Sequence, residues 1–423
     1  MRKIKLSQCG SYVTKERINS NKLNVNNYIT TDNMLPNKEG ICDAEKIPTN
    51  ITVNHFQEND ILLSNIRPYF KKIWKAEYEG GCSADVLIFR TNSGYNADFI
   101  RYCLSQDAFF DYDMKGAKGS KMPRGDKNHI LNFELYDFSL PSQTSIASVL
   151  KVLDNKIILN NKINNELEQM AKTLYDYWFV QFDFPDEKGR PYKSANGKMV
   201  YNEVLKREIP EGWEVGTFAS YIKQDKGGDW GKDECAGNYI KKVYCIRGAD
   251  FPSLTGHSSC KAPIRFILNK NSSKILSSGD LVIEISGGSP TQSTGRIGYI
   301  NQHVLERFDD DVITSNFCKA LSLNYKNTLY NFYLEWERLY KSGLFFNYEG
   351  KTTGIKNLLF DTFVESYKIA IPPQNIINAF YDTVRNIFEK IQCNAKENHY
   401  LETIRDFLLP LLMNGQVTVS PEH

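Results

Sequence analysis

The 423-residue chain contains no run of about 18 apolar residues, which argues against a membrane-spanning helix. Its first residues, MRKIKLSQCG, also lack the apolar core of a secretion signal, so the expected location is the cytoplasm. Nine cysteines are present, at 9, 42, 82, 103, 235, 245, 260, 318 and 393, and no two form a C-x-x-C pair. Reduced thiols are expected, not a disulfide framework or a zinc ribbon. The six histidines show no ligand spacing, so neither metal nor cofactor is expected. An excess of one charge is missing too. The 52 Lys and Arg against 50 Asp and Glu leave a net +2, so any strongly basic surface has to be local.

Catalytic signatures are equally scarce. A chain that methylates adenine normally carries an N/D-P-P-Y/F tetrapeptide and an F-x-G-x-G loop. NIRPYF (65–70) misses the first because Ile66 and Arg67 break it, and the second does not occur. A phosphate-cradling G-x-x-x-x-G-K-[ST] loop is absent, since GGDWGKD (227–233) ends on Asp. No catalytic residue is assigned. The rival expectation is a DNA-cleaving enzyme with an unrecognised site in each half. It requires matching acids, and Asp60 and Asp280 match by position, although each also reads as a turn into a strand.

Gly and Pro are missing from 143–179. Apolar residues recur there as Ile146, Val149, Leu153, Ile157, Ile163, Leu167, Met170, Leu174 and Tyr177, a period of about 3.5 that suits a helix–helix seam. Such a helix runs roughly 55 Å, and Pro141 with Ser142 suits its start. Asn160 falls on the seam, where it either fixes register or stays solvated. The signature returns as Ile377, Phe380, Val384, Ile387, Ile391, Leu401, Ile404, Leu408 and Leu411, with Pro410 in the last turn and Gly415 after it.

The two stretches also resemble each other. SLPSQTSIASVL lies over AIPPQNIINAFY, and LEQMAKTLYDYWF over LETIRDFLLPLLM. The chain is therefore a repeat of about 230 residues, each unit ending in a long helix. Upstream, GSYVTK (10–15) matches ASYIKQ (219–224), and ENDILLS (58–64) matches SGDLVIE (278–284). KGAKGSKMPRGDKNHI (115–130) stands where YEGKTTGIKNLLF (348–360) stands in the second half. Strand-like runs ADVLIFR, GDLVIEI and RIGYI predict mixed α/β (α+β) globules. Between the halves, 185–214 carries six acids, six bases and many turn residues, and reads as a solvated connector. The aromatic run LYDYWFVQFDFP (174–185) ends the first helix at this joint, where Pro185 is expected to stop it.

Two variable globules alternating with two long helices, around the joint LYDYWFVQFDFP…GKMVYN…LKREIPEGWE, resemble the specificity subunits of type I restriction-modification enzymes along essentially the whole chain. The resemblance implies residues 1–141 as a first target recognition domain, 142–181 as a long helix and 182–212 as a linker. A second recognition domain then covers 213–371, a second long helix 372–415, and a tail 416–423. It also implies that the helices pair as an antiparallel coiled coil. The implied partners are double-stranded DNA read at a bipartite sequence, two methyltransferase subunits, and restriction subunits in the full complex. No membrane and no bound cofactor are implied.

Within that frame the Gly/Lys loop supplies candidate DNA contacts Lys115, Lys118, Lys121, Arg124 and Lys127. Arg67, Lys71 and Lys72 in NIRPYFKK join them, as do Lys351 and Lys356 in the second half. Arg247, Gln292 and Arg296 are candidates for base edges, although Arg247 also has Asp250 within reach in sequence. Tyr175, Tyr177, Trp178, Phe179, Phe182 and Phe184 are candidate partner contacts, unless they bury against the second helix.

Overall fold

In a computed structural model, the structure describes residues 2–258, 260–289, 291–352 and 354–419. The chain divides into two compact units. One takes the residues up to Lys156 together with those from Leu401 on, and the other takes Ile157–Tyr400.

The first unit is organised by the strand Ile61–Ser64, whose four residues are all buried. It lies inside a four-stranded sheet in the order Gly10–Tyr12, Val86–Thr91, Ile61–Ser64, Ile73–Lys75, with every pair antiparallel. A second sheet pairs Tyr28–Ile29 in parallel with Gly80–Cys82 and continues through Thr52–Phe56 to Arg17–Asn19. The helices Ala97–Leu104 and Asp107–Gly116 pack on the first sheet, their apolar residues joining Ile61, Leu63 and Phe89 in one core.

The second unit repeats this plan. Ile222–Gly227, Cys318–Leu323, Asp280–Glu284 and Ile297–Tyr299 form an antiparallel sheet in that order, around a wholly buried central strand. Tyr239–Ile246 pairs in parallel with Val312–Thr314 and antiparallel with Ile264–Leu268. In each unit a short antiparallel pair closes the globule: Lys3–Lys5 with Glu134–Tyr136, and Glu214–Thr217 with Lys368–Ile371. The pseudo-repeat read from sequence is thus a repeat of strand order.

The long helices cover Leu140–Tyr175, extended by a π-helical turn Asp176–Val180, and Gln374–Met413. In the first unit Leu150 shares a core with Leu409 and Leu412, and Arg405 meets Asp154 at 3.1 Å. In the second, Tyr175 meets Phe380, Asn164 meets Asn394 and Asn160 meets Asn398. Within each unit the partner's number falls as the other rises, so the two helices run in opposite directions.

The seam departs from the purely apolar reading. Beyond Ile157 the buried positions are Asn160, Asn164, Ala171, Tyr175, Trp178 and Phe179, with Leu167 and Leu174 packed half-buried against the same core, whereas Met170 and Tyr177 face solvent. The stripe keeps Leu167 and Leu174 at its edge but passes through Asn164, Ala171 and Trp178 instead of Ile163, Met170 and Tyr177, because asparagine and alanine occupy seam positions. The asparagines are satisfied. Asn160 donates to Glu397 Oε2 at 2.8 Å and to Asn398 Oδ1 at 2.9 Å. Asn164 donates to the Gly256 carbonyl at 3.0 Å and accepts from Asn394 at 2.8 Å. A buried polar ladder of this kind specifies one register, because any slip leaves amides unpaired.

The aromatic run also ends differently. Asp183 N–H donates to the Tyr177 carbonyl at 2.9 Å across a left-handed Phe182 at φ 65°, a closure one residue wider than the 6→1 bond of a Schellman cap, in keeping with the π-helical turn before it. The helix therefore stops before Pro185. The connector is not simply solvated either. Met199–Asn202 and Arg207–Pro210 form an antiparallel hairpin, and Ile209 and Trp213 enter the core.

Asn164→Ala strands the Asn394 amide and a buried carbonyl. It should cost on the order of 2 kcal/mol, seen as a lower midpoint in denaturant unfolding, while Asn165→Ala on the exposed face should cost almost nothing.

Candidate nucleic-acid interface

In both units the central buried strand ends in irregular chain, and a hairpin from far along the sequence is added there. In the second unit the strand Asp280–Glu284 runs on to Ser286–Gly287, which pairs with Ile355–Leu358 of the hairpin Glu349–Thr352/Ile355–Leu358. The candidate residues converge around Glu284. Arg296 makes a two-pronged contact with its carboxylate at 2.8 and 2.6 Å. Gly248 packs so close that a Cβ would lie 2.5 Å from Glu284 Oε1 and 2.9 Å from Arg296 Nη2. Arg247, beside that glycine, is bound to Asp250 at 3.0 Å and to the Lys261 carbonyl at 2.9 Å. Lys356 lies 3.2 Å from Glu349 and 3.4 Å from the Gln292 carbonyl, and Glu349 also accepts from Thr294 N–H at 2.7 Å. The Gln292 side chain is exposed. Lys351 sits on the hairpin's first strand, and its side chain lies outside the described residues.

Carboxylate partners raise the basicity of both arginines, chiefly through the hydrogen bonds that Arg296 donates to Glu284 and Arg247 donates to Asp250. These cations are therefore held in fixed orientations by acids, which suits reading more than bulk attraction.

The first unit places its hairpin at the equivalent point. Lys118 and Arg124 exchange backbone hydrogen bonds at 2.9 Å each, Ile66 bridges to Arg124, and Arg67 N–H donates to the Pro123 carbonyl at 2.8 Å. Here the cations face solvent. Lys118 is 81 % exposed and Arg124 56 %, and Lys115, Lys121 and Lys127 are exposed as well. Lys118 meets Asp126 at 2.8 Å and Arg124 meets Asp85 at 3.0 Å, surface pairs that yield readily to a polyanion. Asp126 also caps the helix Lys127–Leu131 by accepting from Asn128 and His129 N–H. Hydrogen bonds from Lys118 and from that helix hold its carboxyl down at about 2. Lys71 pairs with Asp107 at 2.8 Å, and Lys72 donates to the Thr31 carbonyl at 2.6 Å. Arg67 is half-buried, with its Nε in the interior.

Beneath this hairpin lies a feature that sequence reading missed. Asp113 is fully buried, and both its oxygens and Asn65 Oδ1 are unpartnered. A Cβ on Gly125 would stand 2.5 Å from Asp113 Oδ1 and 3.1 Å from Asn65 Oδ1, so only glycine fits there. Burial pushes the Asp113 carboxyl up to about 6, the nearby His129 opposing it. Glu284 and Glu349, the acids that organise the second rim, were missed as well. Glu284 is only the last residue of GDLVIE in sequence, and its role appears when strands 280–284 and 297–299 pair.

The aromatic run is placed elsewhere. Tyr175, Trp178, Phe179, Phe182 and Phe184 are buried against Phe380, Trp213 and Tyr192, and Tyr177 is the exposed member. Asp60 and Asp280 prove to be turn-closing residues. Each accepts the backbone N–H three residues back, from Gln57 at 2.8 Å and Ser277 at 2.9 Å, and each binds a cation from another strand of its sheet, Arg90 or Lys226. Both carboxylates are thus engaged inside the fold. Among the described residues, no group of three His, Cys, Asp or Glu is placed to hold a metal, and no helix is long and apolar enough to cross a membrane.

No family profile matches the chain. It is 26% identical over 337 residues to the type I restriction enzyme MjaIX specificity subunit of Methanocaldococcus jannaschii, covering 77% of this chain and 70% of that one. It is 25% identical over 334 residues to the type I restriction enzyme HindI specificity subunit of Haemophilus influenzae, covering 65% and 67%. The crystal structure of a type I restriction-modification S subunit from M. genitalium shares the fold, with a TM-score of 0.56 at 14% identity over 97% of this chain and 96% of that one.

The raised Asp113 carboxyl gives a signed expectation. The folded state holds the proton more tightly than the unfolded chain, so stability is lost as pH rises from the ordinary aspartate value of 3.8 through about 6. Asp113→Asn should therefore stabilise the protein above pH 6, by on the order of 2 kcal/mol, and have little effect at pH 4. Thermal melts at the two pH values check this.

Proposed function

We propose that this chain, a homologue of type I restriction enzyme specificity subunits, recognises DNA sequence for a restriction-modification complex and performs no catalysis itself. Each unit reads one half-site of a bipartite target through the rim at the end of its central strand. The long helices hold the two readers and dock two methyltransferase subunits, which carry the chemistry, while restriction subunits join when cleavage is required. The boundaries set out from sequence, with recognition domains at 1–141 and 213–371 and helices at 142–181 and 372–415, belong to this reading.

One observation carries it. The same antiparallel sheet occurs twice, and each time its buried central strand opens into a rim built from a distant hairpin bearing lysine or arginine. A doubled reader with equivalent edges suits a target in two parts. The rims divide the labour unequally. Lys118, Lys121 and Arg124 are free enough to neutralise phosphates, and Lys115, Lys127, Lys71, Lys72 and Arg67 complete the candidate set of this unit. Arg296, Arg247, Lys356 and Gln292, braced by acids and backbone, offer fixed donors to base edges in the major groove. Lys351 belongs to the same hairpin.

Docking of the methyltransferase falls on other residues than the aromatic run, most of which is spent on the core. Val152 and Phe407 are each 67% exposed on the long helices, and Ile158 and Leu159 are also exposed. Apolar side chains so displayed mark a surface meant to be covered. Phe407→Asp should abolish co-purification with the methyltransferase while leaving the melting temperature within about 2 °C, since an exposed change costs little.

The function is tested by modified-base sequencing of the source cell's genome with and without this gene. Loss of adenine methylation at a single split motif is expected, and an unchanged methylome would overturn the reading. For the purified complex, replacing Lys118, Lys121 and Arg124 together by alanine should lower the slope of log Kd against log salt by roughly 2 to 3. The preferred sequence should stay the same.

A further inference from the structure

The turn Pro68–Phe70 exposes two aromatic rings that the fold does not use. Tyr69 is 47% and Phe70 38% exposed, and their rings pack on each other at 4.7 Å. The turn is held rigidly. Phe70 N–H donates to the Arg67 carbonyl at 3.0 Å and Lys71 N–H to the Pro68 carbonyl at 2.8 Å, and Pro68 is buried. Both flanking residues are left-handed without being glycine, Arg67 at φ 50° and Lys71 at φ 54°. Asn37 and Lys38 are left-handed too, and Lys38 N–H donates to the Lys71 carbonyl at 2.9 Å. Asp107 gathers the ammonium groups of Lys71 and Lys38 at 2.8 and 3.3 Å, and their hydrogen bonds hold its carboxyl below the ordinary range. Strain of this kind persists where the surroundings enforce it, and it gathers at functional sites.

The surroundings identify the occupant. Arg67 N–H is bonded to Pro123 in the basic hairpin, and Lys72 lies 5.7 Å from the Phe70 ring centroid. Rigid exposed aromatics bordered by cations match a strand of stacked bases between phosphates. They fit an apolar partner face less well, because that face would have to bury the lysines. We propose that Tyr69 and Phe70 form a wedge that unstacks one base step in or beside the first half-site, so that this unit reads DNA deformability as well as base edges. This rests on the DNA-recognition reading. The wedge gives the basic hairpin a fixed point from which to lie along the backbone.

The test uses the full chain co-purified with its methyltransferase and duplexes carrying the split motif, with 2-aminopurine placed at each position in turn across both half-sites. Binding of the wild-type complex should brighten one position in or beside the first half-site severalfold. Tyr69→Ala with Phe70→Ala should abolish that signal and weaken binding about tenfold, whereas Tyr325→Ala, which removes an exposed ring of the second unit, should keep the signal. If the wild-type complex binds the duplex and no position brightens, the wedge is wrong whatever the variants do, and DNA recognition stands. The wedge is also wrong if the double variant brightens as wild type does, or if it keeps DNA binding and loses the methyltransferase. If the wild-type complex binds no duplex, the DNA-recognition reading fails and takes the wedge with it.

Discussion

Each unit depends on one strand buried along its whole length, Ile61–Ser64 in the first and Asp280–Glu284 in the second. Such a strand has to be closed at its start and must leave the core at its end. The start is closed by an aspartate that accepts a backbone N–H and holds a cation, Asp60 with Arg90 and Asp280 with Lys226. At the other end the chain emerges with unpaired backbone groups, and a hairpin from much later in the sequence supplies their partners. The candidate rim is what that requirement creates, and its side chains sit on a backbone already fixed by the sheet.

From that shared frame the two units part company electrostatically. The hairpin of the first extends cations into solvent, with weak surface pairs. The second turns its arginines and Lys356 inward toward Glu284, Asp250 and Glu349. A near-neutral chain thus carries a local positive edge on one unit and an orientation-fixed polar edge on the other. This is how a net charge of +2 coexists with a locally basic edge.

The long helices and the repeat were legible in the sequence because their signals are local: absent Gly and Pro, steps of three and four, and two alignable stretches. The seam past Ile157 was legible only in part, at Leu167 and Leu174, because Asn164 and Ala171 carry no apolar signal, and their burial depends on Asn394 and on close packing. The aromatic run was open to two readings because composition does not say whether a ring meets a partner or its own core, and here Phe380 and Trp213 take most of it. The rims were legible only in part. Lysines and glycines advertise the first, whereas Glu284, Glu349 and Asp113 gain their roles from strand pairings between residues tens of positions apart.

The closure at Gly125 has a further consequence, for how such a protein changes over time. The base of the basic hairpin allows one residue, since any Cβ at 125 meets Asp113 and Asn65. The chain from Lys118 to Arg124, by contrast, mostly projects into water, where substitution costs the fold little. Tip and base are therefore under separate constraints. Under the proposed reading, the tip can sample new target preferences by single substitutions with the scaffold unmoved, so that one inherited fold serves successive recognition sequences.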